Sequence, residues 1–401
     1  MHDELVFSLV AFGVLGLVAL NALSYYSQRA MVFPDIIWVL LLGVGYGGVA
    51  HYLNFGLPEL TLSPDLVLYA FVPPLIFAST QKICLFHFRK VLAPASLVGS
   101  VGILISMMII ASALHYGFGF KWLEALLFGV IISATDPLAV GALLHGNREI
   151  SESQKLLIEG ESILNDGFVV TVSGILALTL FSGERFDLLA SSGNFLVHVV
   201  GALLLGVLFG RGARWLLGIW REKHFTLTIN MTVAIAFGSF ALAEILHLSG
   251  ILAVFATALA YGYKPDAESQ NRQIHRHIWD YFEYIANAVL FFLLGASFFI
   301  YTSFDEISLS LVIVALVLLA VSRLSALIVL FPFIKVEKQS LNKRDFWLLN
   351  FSGARGAVSI ALILLLPQTF ALKSLFLSLA FVMILFSLLV YPLTLKRVLK
   401  Q

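Results

Sequence analysis

Long apolar segments separated by short polar loops run through the whole chain. About thirteen of these segments are long enough to cross a hydrocarbon core of about 30 Å as helices. Of the 401 residues, 60% are hydrophobic and only 12% are charged, whereas about 25% of the residues in soluble domains are charged. A backbone within lipid must satisfy its hydrogen bonds internally. The sequence therefore predicts an all-α integral membrane protein, and its scattered basic residues do not indicate a nucleic-acid partner.

The loops indicate how the chain is oriented in the membrane. Most of the 25 Lys and Arg residues fall in loops on one side if the N-terminus lies outside. Because short cytoplasmic loops are enriched in Lys and Arg, we expect a cytoplasmic C-terminus in a plasma or inner membrane. The N-terminus lacks the basic region of a signal peptide, so the first segment is expected to remain as a span. The predicted spans lie near 5–23, 31–51, 64–82, 91–115, 122–146, 156–181, 190–210, 225–246, 249–263, 279–300, 307–333, 346–366 and 374–395.

Carboxylates occur inside two neighbouring spans. Asp136 lies in the fifth span, and Glu161 and Asp166 lie in the sixth. A charged side chain at the bilayer centre costs roughly 2.5–3.5 kcal/mol even on lenient insertion scales, so such residues are functional candidates. Ser162 and Asn165 share one face of the sixth span with its two carboxylates. This face offers cation ligands and proton acceptors side by side, and we expect it to point away from lipid.

Helix breakers interrupt the fifth and twelfth spans. In Thr135-Asp136-Pro137 the proline removes a backbone donor and disfavours helical geometry at the preceding residue. The twelfth span carries a matching weak stretch, FSGARGAVS, around Arg355. Paired interruptions in two halves of a chain are typical of a transporter binding site. Spans 1–6 and 8–13 would run in opposite orientations, as inverted-topology repeats require.

Two arginines lie deep inside predicted spans. Arg323 and Arg355 are each about 15 Å from the inner surface at a rise of 1.5 Å per residue, too deep for their side chains to reach it fully. Each arginine therefore needs an anionic partner, and few buried carboxylates are available.

Several blocks of the sequence resemble a known family. ISATDPLAV followed by EGESILNDG is similar to the paired signature of the monovalent cation:proton antiporters, in the NhaP-type branch that includes the sodium/proton exchangers. AEILHLSGILAV, YFEYIANAVLFFLLG and FSGARGAVSIAL resemble further blocks of this family. The resemblance covers essentially the whole chain. It implies a transporter rather than an enzyme, with two interrupted helices crossing mid-membrane, a homodimeric assembly, and no cofactor besides the transported cation.

The resemblance also implies which residues bind the ions. Asp166 resembles the essential aspartate that binds the cation or the proton. Thr135, Asp136 and Ser162 resemble the other members of the ion site, so Asp166, Ser162 and Thr135 are the expected ligands of the monovalent cation. Asn165 matches the asparagine that marks the electroneutral branch of the family.

Other positions are expected to support or modify this site. Glu161 and Arg355 match a buried structural ion pair of the family, and Arg323 and Ser79 are expected to lie close behind the ion site. Ala78 departs from the family pattern, because many members carry a glutamate there. We expect the loss of this anionic group to weaken cation binding.

The family resemblance further implies a division into moving parts. A core transport part would comprise residues 84–182 and 301–401. A dimerisation part would comprise residues 1–83 and 225–300, and residues 183–224 would form a linker helix. The core part is expected to move against the dimerisation part.

Competition at one carboxylate predicts the mechanism. Burial disfavours a charged carboxylate, and a proton or a cation neutralises it, so the two ligands exclude each other at Asp166. If only the neutralised core crosses the membrane, electroneutral one-for-one exchange by alternating access follows. Na⁺/H⁺ antiport is the predicted activity, and a K⁺/H⁺ antiporter or a cation channel of related architecture is the alternative. A membrane aspartyl protease that uses Asp136 and Asp166 is disfavoured, because no GxGD-like motif accompanies either aspartate in this chain.

Overall fold

A computed structural model describes residues 22, 35–53, 58–81, 83, 85–136, 140–141, 143–144, 150–182, 188–219, 225–262, 270–302, 308–336 and 339–399. These residues are almost entirely helical. The helices are α1 (Asp35–Tyr52), α2 (Val72–Gln81), α3 (Leu85–Ser96), α4 (Ile103–Phe118), α5 (Trp122–Ser133), α6 (Glu152–Ser182), α7 (Leu188–Ile219), α8 (Phe225–Ile245), α9 (Gly250–Tyr261), α10 (Gln270–Ala296), α11 (Phe298–Tyr301), α12 (Leu309–Leu330), α13 (Lys343–Ser352), α14 (Ala357–Leu364) and α15 (Lys373–Val398).

Short irregular elements connect some of these helices. A π-helical segment, Leu66–Phe71, leads into α2, and a second one, Leu97–Gly102, joins α3 to α4. Phe331–Phe333 forms a 3₁₀ turn after α12. The two-residue strands β1 (Lys335–Val336) and β2 (Gln339–Ser340) pair antiparallel before α13.

Helix length and composition confirm a multi-pass membrane protein. Among the described residues, 8 helices are long and apolar enough to cross a membrane, and the number is 9 if α13 and α14, which meet at a bend of 40°, are counted as one broken span. Three shorter apolar helices are Leu66–Gln81, Trp122–Ser133 and Gly250–Tyr261. Every predicted span except the first overlaps a described helix. The first, 5–23, lies outside the described residues apart from Ala22, so the count of thirteen stays a prediction.

The helices pack mainly in two groups. In one group α3 and α5 contact α6, α4 contacts α5 and α12, and α15 packs against α13 and α14. In the other group α1 packs on α10, while α9 lies against α2, α7 and α8. Contacts of α6 with α7 and α9 join the two groups. Helix α6 is therefore part of the boundary between them.

Small residues bring α7 and α9 into close contact. A Cβ atom at Gly206 or Gly210 would collide with the backbone carbonyl of Ala253 or Thr257. Within lipid the hydrophobic effect between helices is lost, so close backbone packing of this kind holds helices together. By contrast, large apolar side chains such as Leu208 stay exposed on α7, as expected for a face in contact with lipid.

Candidate functional site

Two breaks in the helical backbone meet at the candidate site. Helix α5 ends at Ser133, and the next residue, Ala134, has a non-helical ψ of 137°. Residues 353–356 separate α13 from α14. The backbone N–H of Asp136 donates a hydrogen bond to the carbonyl of Ala354 at 2.6 Å. The two predicted interruptions are therefore present and contact each other directly, while Pro137 lies outside the described residues.

Each break contributes a charged side chain that lies against the helix end at the other break. Arg355 Nη1 donates to the carbonyl oxygens of Ser133 at 2.5 Å and Ala134 at 3.1 Å. These carbonyls form the negative end of the α5 dipole, which a guanidinium stabilises. A Cβ atom at Gly356 would lie 2.5 Å from Asp136 Oδ2, so the Asp136 carboxylate lies against the start of α14. That helix end carries partial positive charge and favours an anion.

The predicted ion pair between Glu161 and Arg355 is wrong. Glu161 accepts hydrogen bonds from Arg323, at 2.7 Å from Nη1 to Oε1 and 3.1 Å from Nη2 to Oε2, and both side chains are buried. Arg323 Nη2 also donates to the carbonyl of Leu349 in the last turn of α13 at 2.9 Å. In the described part of the chain Arg355 Nε and Nη2 have no hydrogen-bond acceptor. Arg323 therefore neutralises Glu161, and Arg355 instead binds the end of α5.

Buried polar side chains connect the α5 break to α6. Ser162 Oγ donates to the Thr135 carbonyl at 2.6 Å, and Asn165 Nδ2 donates to Thr135 Oγ1 at 2.8 Å. Thr135 Oγ1 in turn donates to Glu161 Oε1 at 3.3 Å. A hydroxyl has one donor and two acceptor positions, so within the described contacts the Thr135 oxygen keeps one unused lone pair and the Ser162 oxygen keeps two. Both can still coordinate a cation while holding this network.

Asp166 differs from its neighbours on α6. Its side chain is partly exposed, whereas Glu161, Ser162 and Asn165 are buried. No hydrogen bond or ion pair joins Asp166 to another residue within the described ranges. It lies within electrostatic range of the carboxylates of Asp136 and Glu161. Ionised carboxylates in such proximity repel each other, and a bound proton or cation relieves the repulsion.

One predicted supporting residue is not connected to this cluster. Ser79 Oγ donates to the carbonyl of Ile76 in its own helix at 3.1 Å, and none of the described hydrogen bonds links it to the ion site. Ala78 is buried on the same helix, α2. The effect of its methyl group in place of a carboxylate stays a prediction.

Two serines that hold the crossing were not predicted from the sequence. Ser359 Oγ donates to the Ile131 carbonyl at 2.7 Å, and the Arg355 N–H donates to Ser387 Oγ at 2.9 Å. Both serines are buried. Single serines are common in membrane helices, and only the position of Ser359 just after the FSGARGA break indicated a role.

The oxygen atoms at this crossing suit a hard monovalent cation. Hydroxyl, carbonyl and carboxylate oxygens are the preferred ligands of hard cations, a rule formulated for Ca²⁺ and Mg²⁺ that we extend to alkali ions. No group of three or more His, Cys, Asp or Glu side chains that could hold a metal ion occurs among the residues with described positions. The candidate ligands are therefore Asp166, Asp136, Thr135 and Ser162.

Comparison with known proteins agrees with the geometry. Residues 16–401 match the family described as "Sodium/hydrogen exchanger, transmembrane". The Na(+)/H(+) antiporter ApNhaP of Aphanothece halophytica is 30% identical over 397 residues, which cover 96% of this chain and 72% of that protein. The Na(+)/H(+) antiporter NhaP of Pseudomonas aeruginosa is 28% identical over 407 residues, covering 95% of this chain and 94% of that protein.

The fold is also that of a solved antiporter. The structure of the sodium proton antiporter MjNhaP1 from Methanocaldococcus jannaschii at pH 8 aligns with a TM-score of 0.73 at 18% sequence identity, covering 98% of this chain and 96% of that chain. The fold class and the family resemblance predicted from the sequence are thus confirmed. The chain belongs to the sodium/hydrogen exchanger family.

Proposed function

We propose that this chain exchanges Na⁺ for H⁺ across a cell membrane by alternating access. The observation that carries the proposal is the state of Asp166, a partly exposed carboxylate without a hydrogen bond to any described residue, beside two broken helices. Its neighbour Glu161 already has a cationic partner in Arg323. Asp166 is therefore the carboxylate of α6 whose charge is open to compensation by a transported ion.

Exchange follows from mutually exclusive binding at this carboxylate. A cation bound to Asp166, with oxygens of Thr135 and Ser162, keeps the carboxylate ionised, and a proton removes its charge. An ionised carboxylate without a ligand is costly to move through a low-dielectric barrier. Only the cation-loaded and the protonated forms then cross, and one ion is exchanged for the other.

The packing of the helices supports a two-part transporter. We propose that residues 84–182 and 301–401 form the moving core, and that residues 1–83 and 225–300 form the dimerisation part of a homodimer, with 183–224 as the linker. The extensive contacts within each of the two helix groups support this division. The excess of Lys and Arg in the loops of one side supports an outside N-terminus and a cytoplasmic C-terminus.

The decisive experiment is Asp166→Asn in proteoliposomes. We expect Na⁺-driven dissipation of a pH gradient to fall to the rate of empty vesicles, because an amide cannot alternate between a proton and a cation. Glu124→Gln is a matched control, since it also removes one carboxylate but lies at the start of α5 next to Lys121. Exchange by Asp166→Asn at the wild-type rate would exclude Asp166 from the mechanism.

The same vesicles distinguish the possible ions and mechanisms. Na⁺, Li⁺ and K⁺ are added separately, and we expect the largest rate with Na⁺; a larger rate with K⁺ would instead identify a K⁺/H⁺ antiporter. Proton flux without any added counter-cation would indicate a channel.

Electroneutral exchange has its own test. Movement of one net charge would couple transport to the membrane potential by about 2.3 kcal/mol per 100 mV. Asn165 cannot take up a proton, so we expect one proton to exchange for one cation. Clamping the potential with valinomycin and K⁺ should then leave the Na⁺-driven rate unchanged, and a steep voltage dependence would contradict one-for-one exchange.

A further inference from the structure

A cavity opens between the first turns of α6 and the facing side of α10. Its volume is about 590 Å³. Two basic side chains contribute to its lining, Lys155 and Arg276. Acidic side chains outnumber them, and these are Glu152, Glu159, Asp280 and Glu283. The lining therefore has a formal excess of negative charge, which attracts cations.

The cavity runs from exposed to buried residues. Glu152 and Arg276 are exposed, Glu159 and Glu283 are half-buried, and Asn287 is buried. On α10 the lining residues follow a helical spacing from Arg276 to Asn287, so they share one face of the helix. The cavity is therefore a vestibule with a charged mouth and Asn287 at its inner end.

Asn287 lines the inner end of this vestibule and carries a buried side-chain oxygen that has no hydrogen-bond donor among the described residues. Its side chain is 7% exposed, and its Oδ1 atom has no hydrogen-bond donor among the residues whose positions are described. Buried polar atoms in native proteins almost always have a partner, and an unpaired one needs an explanation. An amide oxygen is a ligand for hard cations. A cation in the vestibule would therefore satisfy an atom that the described residues leave unpaired.

The vestibule lies on the same face of α6 as the transport site. Glu159, Ser162 and Asp166 follow one another at spacings of three and four residues. Seven residues from Glu159 to Asp166 correspond to about 10 Å along the helix axis. A cation held near Glu159 is thus close to the transport site but is not bound by it.

We propose that this vestibule contains a second monovalent cation site, formed by Asn287 Oδ1 together with the carboxylates of Glu283 and Glu159. The site holds a cation before it moves to Asp166, and it exists whether or not Asp166 can bind. The inference rests on the proposed function for the identity of the ion, Na⁺, and for its onward movement to Asp166, but not for the existence of the second site. The second site raises the local cation concentration next to the transport site.

The test separates the two sites by removing the transport site at Asp166. The full chain carrying Asp166→Asn is purified, and its melting temperature and ²²Na⁺ binding are measured against NaCl concentration, with choline chloride keeping the ionic strength constant. We expect a saturable response to Na⁺ in this variant. Adding Asn287→Ala should raise the half-saturating Na⁺ concentration about tenfold, because one ligand of a charged group is lost.

Matched variants make the result specific. In the same Asp166→Asn background, Asn230→Ala on the exposed surface of α8 and Glu124→Gln on α5 should leave the half-saturating concentration unchanged. If Asn287→Ala does not fold, Glu283→Gln provides the same measurement with little change in volume. Its half-saturating concentration should also rise about tenfold.

Two outcomes would overturn the second site. One is an Asp166→Asn protein without any Na⁺ response, and the other is an equal half-saturating concentration in the Asn287→Ala and Asn230→Ala proteins. Failure of the proposed function is a different result. In that case wild-type vesicles show no exchange, although Asp166→Asn still binds Na⁺ and Asn287→Ala weakens this binding.

Discussion

Two carboxylates of α6 lie five residues apart and have opposite surroundings. Glu161 is buried, accepts two hydrogen bonds from Arg323, and receives a third from Thr135. Asp166 is partly exposed and has no hydrogen bond to a described residue. The charge of Glu161 is compensated within the protein. In the proposed mechanism, the charge of Asp166 is compensated by an ion from solution.

This contrast predicts a structural role for Glu161 and a transport role for Asp166 on one helix. A carboxylate with a permanent cationic partner gains little from Na⁺ or a proton, since its charge is already balanced. Removing that partner leaves a buried charge unpaired, and the penalty is large. We therefore expect changes around Glu161 to act mainly on stability, and changes at Asp166 to act mainly on exchange.

The largest effect is expected from separating Glu161 and Arg323. Arg323→Met leaves a buried carboxylate without its partner, and such losses typically cost about 3–5 kcal/mol. The melting temperature of the purified protein should fall sharply in Arg323→Met and in Glu161→Gln. The double variant should recover part of the loss, because neither charge remains unpaired.

Arg355 provides the control for this cycle. Glu161 and Arg355 share no hydrogen bond or ion pair in the described structure, so the coupling between Glu161→Gln and Arg355→Met should be much smaller than the coupling between Glu161→Gln and Arg323→Met. Strong coupling between Glu161 and Arg355, with additive effects of Glu161 and Arg323, would contradict the pairing in the structure.

An intermediate effect is expected from Arg355→Met alone. This change removes the donors to the Ser133 and Ala134 carbonyls, and a buried acceptor without a donor costs about 1–3 kcal/mol. The loss is reduced because two nitrogens of Arg355 have no acceptor among the described residues. The decrease in melting temperature should therefore be smaller than for Arg323→Met. An equal or larger decrease would indicate that Arg355 has an anionic partner.

The smallest effect is expected from restoring the carboxylate that Ala78 replaces. If a side chain at position 78 reaches the Asp166 site, Ala78→Glu should lower the half-maximal Na⁺ concentration by about threefold, equivalent to less than 1 kcal/mol. The decrease should be larger at pH 8.5 than at pH 7, because neighbouring carboxylates ionise in steps. Ala78→Gln has the same size without the charge and should leave the concentration unchanged. Equal values for both variants at both pH values would contradict this position's role.

Much of the site follows from helical periodicity. The 3.6-residue repeat places Glu161, Ser162, Asn165 and Asp166 on one side of α6 in any fold that keeps this segment helical. The breaks around Thr135 and Arg355 follow from local backbone chemistry, since proline and glycine disfavour the interior of a helix. These features depend on neighbours along the chain, and they were predictable for that reason.

The partners of the buried charges were decided by tertiary packing. Arg323 and Arg355 have similar predicted depths, and the sequence offers no means of telling which guanidinium reaches Glu161. The structure places Arg323 of α12 against Glu161 and Arg355 against the end of α5. The vestibule around Asn287 likewise exists only because residues of α6 and α10, far apart in the chain, face each other across it. The sequence by itself determined the membrane class, the polar face of α6 and the two breaks, because these depend on composition and local geometry. Only the tertiary structure decided which charges meet, because residues far apart in the chain come into contact through helix packing.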